Sequence, residues 1–162
     1  MCVFIVLLLM LMERPHRPPP IVMDTNVLVA GACRRESSHA YRVLMGVLSK
    51  EIPLMLTPAI ALEYLDVLQR PRVLEMTGLS HSQSSDLVTE LISLSRQVQL
   101  HFSWRPNLLD ESDNRFVEAA IHTAAIILTY NVRHYRNTDI PPLGWHVMVP
   151  REYVFRYFRR SL

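Results

Sequence analysis

The chain has 162 residues, of which 49% are hydrophobic and 20% are charged, so it is long enough for one folded domain and too apolar for a disordered chain. A formal net charge of +2 excludes a polycation, and contact with nucleic acid would therefore need a local basic patch. The two cysteines and seven scattered histidines show none of the spacings of a disulfide framework or a zinc site. We expect a cytoplasmic protein with reduced thiols.

The first 17 residues are interpreted as an apolar appendage, or as residues added by an upstream start codon. Residues 3–12 form an unbroken apolar run, but ten residues are fewer than the roughly 20 that a helix needs to cross a bilayer. No charged residue precedes the run and charged residues follow it, which is unlike a secretory signal. Three prolines at 18–20 then form a stiff spacer. We predict an appendage over 1–17 without stable membrane insertion, and one domain over 18–162.

Short apolar segments alternate with amphipathic helices along the rest of the chain. The predicted strands cover residues 21–23, 52–56, 98–102, 126–129 and 145–149. The predicted helices cover residues 38–49, 57–69, 80–96, 113–124 and the segment that begins at Pro150. This alternation predicts an α/β fold with a mostly parallel sheet covered on both faces, and a functional site at the carboxyl ends of the strands.

Two acidic residues occupy positions where a carboxylate is costly. Asp24 directly follows the first predicted strand, at the edge where such folds bind ligands, although turns and helix caps also place acids there. Glu63 lies on the apolar stripe of its predicted helix, between Ile60 and Tyr64, and is expected to face inward. The alternative for Glu63 is a border position where the side chain reaches water or binds an arginine.

Polar residues recur at the same edge of the predicted sheet later in the chain. Asp113 ends a polar loop and begins a helix, so it is either a site acid or an N-terminal cap. Asn131 follows the next strand, as Asp24 follows the first, which places both at one edge. The basic residues beyond it are candidates for contact with phosphate: Arg133, His134 and Arg136.

Three carboxylates brought together repel one another, and either protonation of one acid or a bound divalent cation relieves that repulsion; the second route suits chemistry. Oxygen ligands without histidine or cysteine select Mg²⁺ or Mn²⁺, which bridge readily to phosphate. Such a cation polarises a phosphoryl group and lowers the pKa of its bound water. The reaction class that this predicts is phosphodiester hydrolysis.

Five segments, in order along the chain, resemble the PIN-domain ribonucleases, in particular the branch labelled as toxins of toxin–antitoxin pairs. They are IVMDTNVLV at 21–29, PAIALEYL at 58–65 with LQRP at 68–71, DESDNRFVEAA at 110–120, ILTYN at 127–131 and VPREY at 149–153. The resemblance covers about residues 20–155. It implies a three-layer α/β/α fold, a metal-dependent endoribonuclease that acts on RNA, a small antitoxin as partner, and a homodimer.

The resemblance also implies roles for individual residues. Asp24, Glu63 and Asp113 match the family's metal-site acids, whereas Asn131 stands where many members carry a fourth aspartate. Asn131 would be a weaker ligand of Mg²⁺ or Mn²⁺, which leaves open whether one metal ion or two are bound. The residues expected to support the site are Thr25, Asn26, Asp110 and Thr129.

Other protein classes match these residues less well. An aspartyl-phosphate phosphatase would carry a second acid at position 26, where this chain has asparagine, and a receiver domain would use a late lysine, whereas Lys50 is the only lysine. A non-enzymatic PIN-like scaffold that binds RNA or a protein stays open because of Asn131. The terminal segment 151–160 interleaves four arginines with four aromatics, which suits RNA binding or packing of the last helix, and we favour packing.

Overall fold

The computed structural model describes residues 17–99, 114–135 and 146–158. Within these ranges the strands are β1 (Ile21–Met23), β2 (Met55–Leu56), β3 (Arg96–Gln97), β4 (Ile126–Leu128) and β5 (His146–Met148). The α-helices are α1 (Thr25–Ala32), α2 (His39–Leu48), α3 (Pro58–Leu68), α4 (Pro71–Thr77), α5 (His81–Leu94), α6 (Asn114–Thr123) and α7 (Pro150–Tyr157). A 3₁₀ helix, Val132–Tyr135, follows β4.

Every strand pair in the described residues is parallel. β4 lies between β1 and β5, with Leu128 opposite Met23 on one side and Met148 on the other. β2 pairs with β3, and a parallel bridge from Leu54 to Ile21 places β2 beside β1. Helix α6 packs against β1, β2 and β4, while α2 packs against α1 and α7. The architecture is the predicted three-layer α/β/α fold with a parallel sheet.

The core is centred on β1 and β4, whose residues are all buried. Because helices cover both faces of a parallel sheet, such strands are continuous apolar runs rather than alternating ones. Helices α3 and α6 contribute the largest side chains near these strands, among them Tyr64 and Phe116, both fully buried. The polar residues of this part of the chain therefore begin directly after the last residue of β1, at Asp24.

Two helices were not anticipated from the sequence. Residues 25–32 form α1, although the apolar run from Val27 has the β-branched composition of a strand. Pro71 lies just beyond the helix predicted over 57–69 and occupies the first position of α4, where its missing N–H costs nothing. Gly78 ends α4 with a φ of 67°, the left-handed conformation that glycine adopts without strain.

Two predicted strands differ from those observed. The strand expected over 52–56 is limited to Met55–Leu56 with the single bridge at Leu54. The strand expected to start at Val98 instead lies at Arg96–Gln97, an exposed pair of residues without the apolar alternation used to predict it. Residues 100 and 102, on which that alternation depended, lie outside the described ranges.

Helix α7 packs against the core, as we favoured for the terminal segment. Tyr153, Val154 and Phe158 are buried, whereas Arg151 and Arg156 are exposed and lie over aromatic rings of the same helix. The hydroxyl of Tyr153 donates to the Pro19 carbonyl at 2.6 Å, which ties α7 to the segment entering β1. Burial, and next the charge of Tyr157, raise the pKa of Tyr153 well above its usual value.

The raised pKa predicts that stability falls in alkaline solution. An unfolded chain loses the tyrosine proton near pH 10, whereas folded Tyr153 keeps it, so the free energy of unfolding decreases as the pH rises above about 10. One such proton gives a slope of about 1.4 kcal/mol per pH unit. Urea unfolding of the wild type and Tyr153→Phe between about pH 8 and about pH 11 measures this slope. Identical pH profiles of the two proteins would contradict the prediction.

Candidate active site

The site begins where two neighbouring parallel strands end. Asp24 directly follows β1 and Thr129 directly follows β4, so the pairing of the strands brings the two residues together. The backbone N–H of Asp24 donates to the Leu128 carbonyl at 2.9 Å and extends that pairing by one bond. The side chain of Asp24 caps α1, since Oδ1 accepts from the Asn26 N–H at 3.1 Å. Asp24 is 6% exposed and is therefore almost completely buried at this edge of the sheet.

The second oxygen of Asp24 is an acceptor for three side chains. Oδ2 accepts from the Thr129 hydroxyl at 2.6 Å, from Asn26 Nδ2 at 2.9 Å and from the Tyr135 hydroxyl at 3.4 Å. These donors come from α1, the end of β4 and the 3₁₀ helix. A buried carboxylate is costly without such partners, and these hydrogen bonds stabilise its charge and hold it in one orientation.

Asn26 and Thr129 connect α1 to the loop that follows β4. Asn26 Nδ2 also donates to Thr129 Oγ1 at 3.1 Å, and Asn26 Oδ1 accepts from the Tyr130 N–H at 3.1 Å. Thr129 Oγ1 accepts from the Asn131 N–H at 2.9 Å. Asn131 is exposed, and the hydrogen bond through which it joins the network is a backbone one.

Glu63 lies on α3 and faces the same region, with its side chain 19% exposed. Oε1 accepts from the hydroxyl of Thr25, the residue after Asp24, at 2.5 Å. Oε2 lies 3.1 Å from Nη1 of Arg115 on α6, forming an ion pair between two helices. Both interpretations offered for Glu63 therefore hold in part, because its side chain points inward and also binds an arginine.

Tyr64 joins α3 to the end of β1. Its ring is fully buried and its hydroxyl donates to the carbonyl of Met23, the residue before Asp24. Burial first, then the negative charges of Asp24 and Glu63, raise the pKa of Tyr64 well above its usual value. The sequence analysis placed Tyr64 only on the apolar stripe of its helix. A tyrosine hydroxyl on a buried stripe needs a hydrogen-bond partner, and that requirement could have indicated the contact.

The remaining predicted site residues are distributed as follows. Asp110, Asp113 and Arg136 lie outside the described residues. Arg133 is exposed on the 3₁₀ helix, and His134 beside it is half-buried. Within the described ranges, no three residues of histidine, cysteine, aspartate or glutamate lie close enough to hold a metal ion. The two acids that the described residues bring to one edge are Asp24 and Glu63, with Thr25 linking them.

The donors at this edge fit a hard divalent cation. They are carboxylate and hydroxyl oxygens, the ligands that Mg²⁺ and Mn²⁺ prefer. Glu63 Oε2 is buried and makes no hydrogen bond within the described part of the chain, although Arg115 lies beside it. A buried anionic oxygen without a hydrogen bond is costly and would gain from a cation as ligand.

Comparison with known protein families identifies the chain's family. A family model described as the PIN domain matches residues 20–133, which is more than half of the chain. The matched range runs from the entrance of β1 into the 3₁₀ helix and includes Asp24, Glu63, Arg115 and Thr129. No curated protein matches the chain.

Proposed function

The chain belongs to the PIN-domain family, whose domains are generally ribonucleases, and we propose that it is an endoribonuclease dependent on Mg²⁺ or Mn²⁺. The observation that carries the proposal is the hydrogen bond from the hydroxyl of Thr25, the residue after Asp24, to Glu63, an acid from a distant part of the chain. We propose Asp24, Glu63 and Asp113 as metal ligands, and Asn131 as a weaker one. Asp110 is proposed as a supporting residue.

The described residues have distinct tasks in this proposal. Thr129 and Asn26 orient the carboxylate of Asp24, and Thr25 orients that of Glu63. A bound divalent cation would activate water and stabilise charge on the scissile phosphate. Burial of Asp24 keeps bulk water away from one side of its carboxylate, which strengthens its attraction for a cation.

The surface beside these acids suits a single-stranded RNA. Tyr130 directly follows Thr129 and is 49% exposed, and Arg133, three residues later on the 3₁₀ helix, is also exposed. Unpaired bases stack on aromatic rings, and arginine binds phosphate. We propose that Arg133, with His134 and Arg136, contacts the RNA backbone while the scissile phosphate lies near Asp24.

The resemblance to the toxin branch supports a narrower role. We propose that the chain is the toxin of a toxin–antitoxin pair, that it acts in the cytoplasm, that a small antitoxin protein binds it, and that it forms a homodimer. No helix among the described residues combines the length and apolarity needed to cross a membrane. Normal growth of cells that express this chain alone would contradict the toxin role.

Cleavage of defined RNAs by the purified protein tests the proposed activity. We expect an unpaired oligonucleotide to be cut with added Mn²⁺ and to stay intact with EDTA, and a duplex of the same sequence to be cut more slowly, because duplex bases are not free to stack on protein side chains. Cleavage that persists in EDTA would indicate a contaminating nuclease. Absence of cleavage under all conditions would favour the alternative, a PIN-like scaffold that binds RNA or a protein, which the ion-paired state of Glu63 and the asparagine at 131 support.

A further inference from the structure

We propose that Arg115 is a counter-ion for Glu63 that an incoming divalent cation has to displace, so that this arginine weakens metal binding and stabilises the metal-free protein. The inference rests on the proposed function, since it concerns regulation of the same site. Its first support is the 3.1 Å contact between Arg115 Nη1 and Glu63 Oε2, which joins α6 to α3. The guanidinium thus lies at one of the carboxylate oxygens that a metal ion would use.

The burial of Glu63 explains why a counter-ion is needed there. Its Oε2 atom has no contact with solvent and accepts no hydrogen bond within the described residues, while Oε1 accepts from the Thr25 hydroxyl. Asp24 lies next to Thr25 and adds a second negative charge to the region. Without a positive charge nearby, two carboxylates in such surroundings would strongly disfavour the folded state.

The geometry of the contact shows that Arg115 is not locked onto the Glu63 carboxylate. Its side chain is 35% exposed, and its contact with Oε2 lacks the alignment of a hydrogen bond, so the pair is not the bidentate fork that locks arginine onto a carboxylate. Nη1 also reaches the Ala59 carbonyl in the first turn of α3, at 3.5 Å, the longest of the distances at this site. A half-exposed guanidinium can turn toward water when another cation takes its place.

Displacement follows from the like charges of the two cations. A divalent ion on Glu63 and a guanidinium at its present distance would repel each other, so binding of the metal requires Arg115 to withdraw from Oε2. The free energy lost with the ion pair then opposes metal binding. Removing the arginine charge should therefore strengthen metal binding while it destabilises the metal-free protein.

Calorimetric titration with Mn²⁺ alone, without RNA, measures the first effect. We expect Arg115→Gln and Arg115→Met each to lower the Mn²⁺ dissociation constant by about ten-fold, because a positive charge close to the site opposes binding of a cation. Arg115→Lys keeps the charge and should stay within about two-fold of the wild type. Arg72→Gln removes an arginine charge from the exposed surface of α4 and serves as the matched control. It should leave the constant unchanged.

Thermal unfolding with and without Mn²⁺ measures the second effect. Arg115→Gln should melt below the wild type in EDTA and should gain more from saturating Mn²⁺, because the ion then replaces the lost counter-charge. Unchanged or weaker Mn²⁺ binding by both neutral variants would overturn the role of Arg115 while leaving the metal site intact. If neither the wild type nor the variants bind Mn²⁺, the metal-dependent function itself fails, and this inference fails with it.

Discussion

Asp24→Asn is expected to reduce Mn²⁺-dependent RNA cleavage by at least about 100-fold, or roughly 2.7 kcal/mol of transition-state stabilisation. The substitution removes a negative charge from the most buried acid at the edge of the sheet. An amide also has one acceptor oxygen, whereas both oxygens of Asp24 accept hydrogen bonds, so either the cap of α1 or the three bonds on Oδ2 would be lost. Initial rates on an unpaired RNA at saturating Mn²⁺ measure the effect.

The matched control for Asp24→Asn is Asp66→Asn. Asp66 is an exposed acid on α3, three residues beyond Glu63, and its ion pair with Arg70 lies at the surface. Exposed pairs of this kind contribute about 0–1 kcal/mol, so Asp66→Asn should keep both its stability and its cleavage rate. Circular dichroism checks that Asp24→Asn is folded, since the variant loses either the cap, which costs about 0.5–2 kcal/mol, or the hydrogen bonds on Oδ2. Equal cleavage by the two variants would exclude Asp24 from the reaction.

Much of the fold could be predicted because its signals are local. The helix predicted over 57–69 is α3, and the Thr57 hydroxyl accepts from the Ile60 N–H at its start. The apolar run at 126–128 led to the strand predicted over 126–129, which is β4, since a strand buried on both faces has no polar alternation. Helix α1 was missed for the same reason, because a short buried helix and a buried strand share a continuous apolar composition.

The candidate site was predictable only in part, because its hydrogen bonds depend on contacts between distant residues. The position of Asp24 and Thr129 at one edge follows from parallel pairing of two predicted strands. The pairing of Glu63 with Arg115 could not be foreseen as a specific contact, since the helical phase of Glu63 indicates a buried side chain but not which arginine approaches it. Asp113, the third acid of the proposal, stays a prediction, because it lies outside the described residues.

Tyr64 is expected to control both stability and the geometry of the site. Tyr64→Ala should lower the free energy of unfolding by about 3–5 kcal/mol, because it empties a fully buried position in the core. Tyr64→Phe keeps the ring and should cost about 1–3 kcal/mol, since the Met23 carbonyl loses its side-chain donor in a buried position. Urea unfolding at neutral pH measures both values.

The effect of Tyr64 on activity can be separated from its effect on stability by comparison with Tyr153. Both are buried tyrosines whose hydroxyls donate to a backbone carbonyl, but Tyr64 bonds to the residue before Asp24, whereas Tyr153 bonds to Pro19. Each tyrosine-to-phenylalanine variant should therefore lose comparable stability. RNA cleavage should fall by about ten-fold in Tyr64→Phe alone, because that hydroxyl fixes the end of β1 against the helix that carries Glu63. An equal loss of cleavage in Tyr153→Phe would instead attribute the effect to general destabilisation.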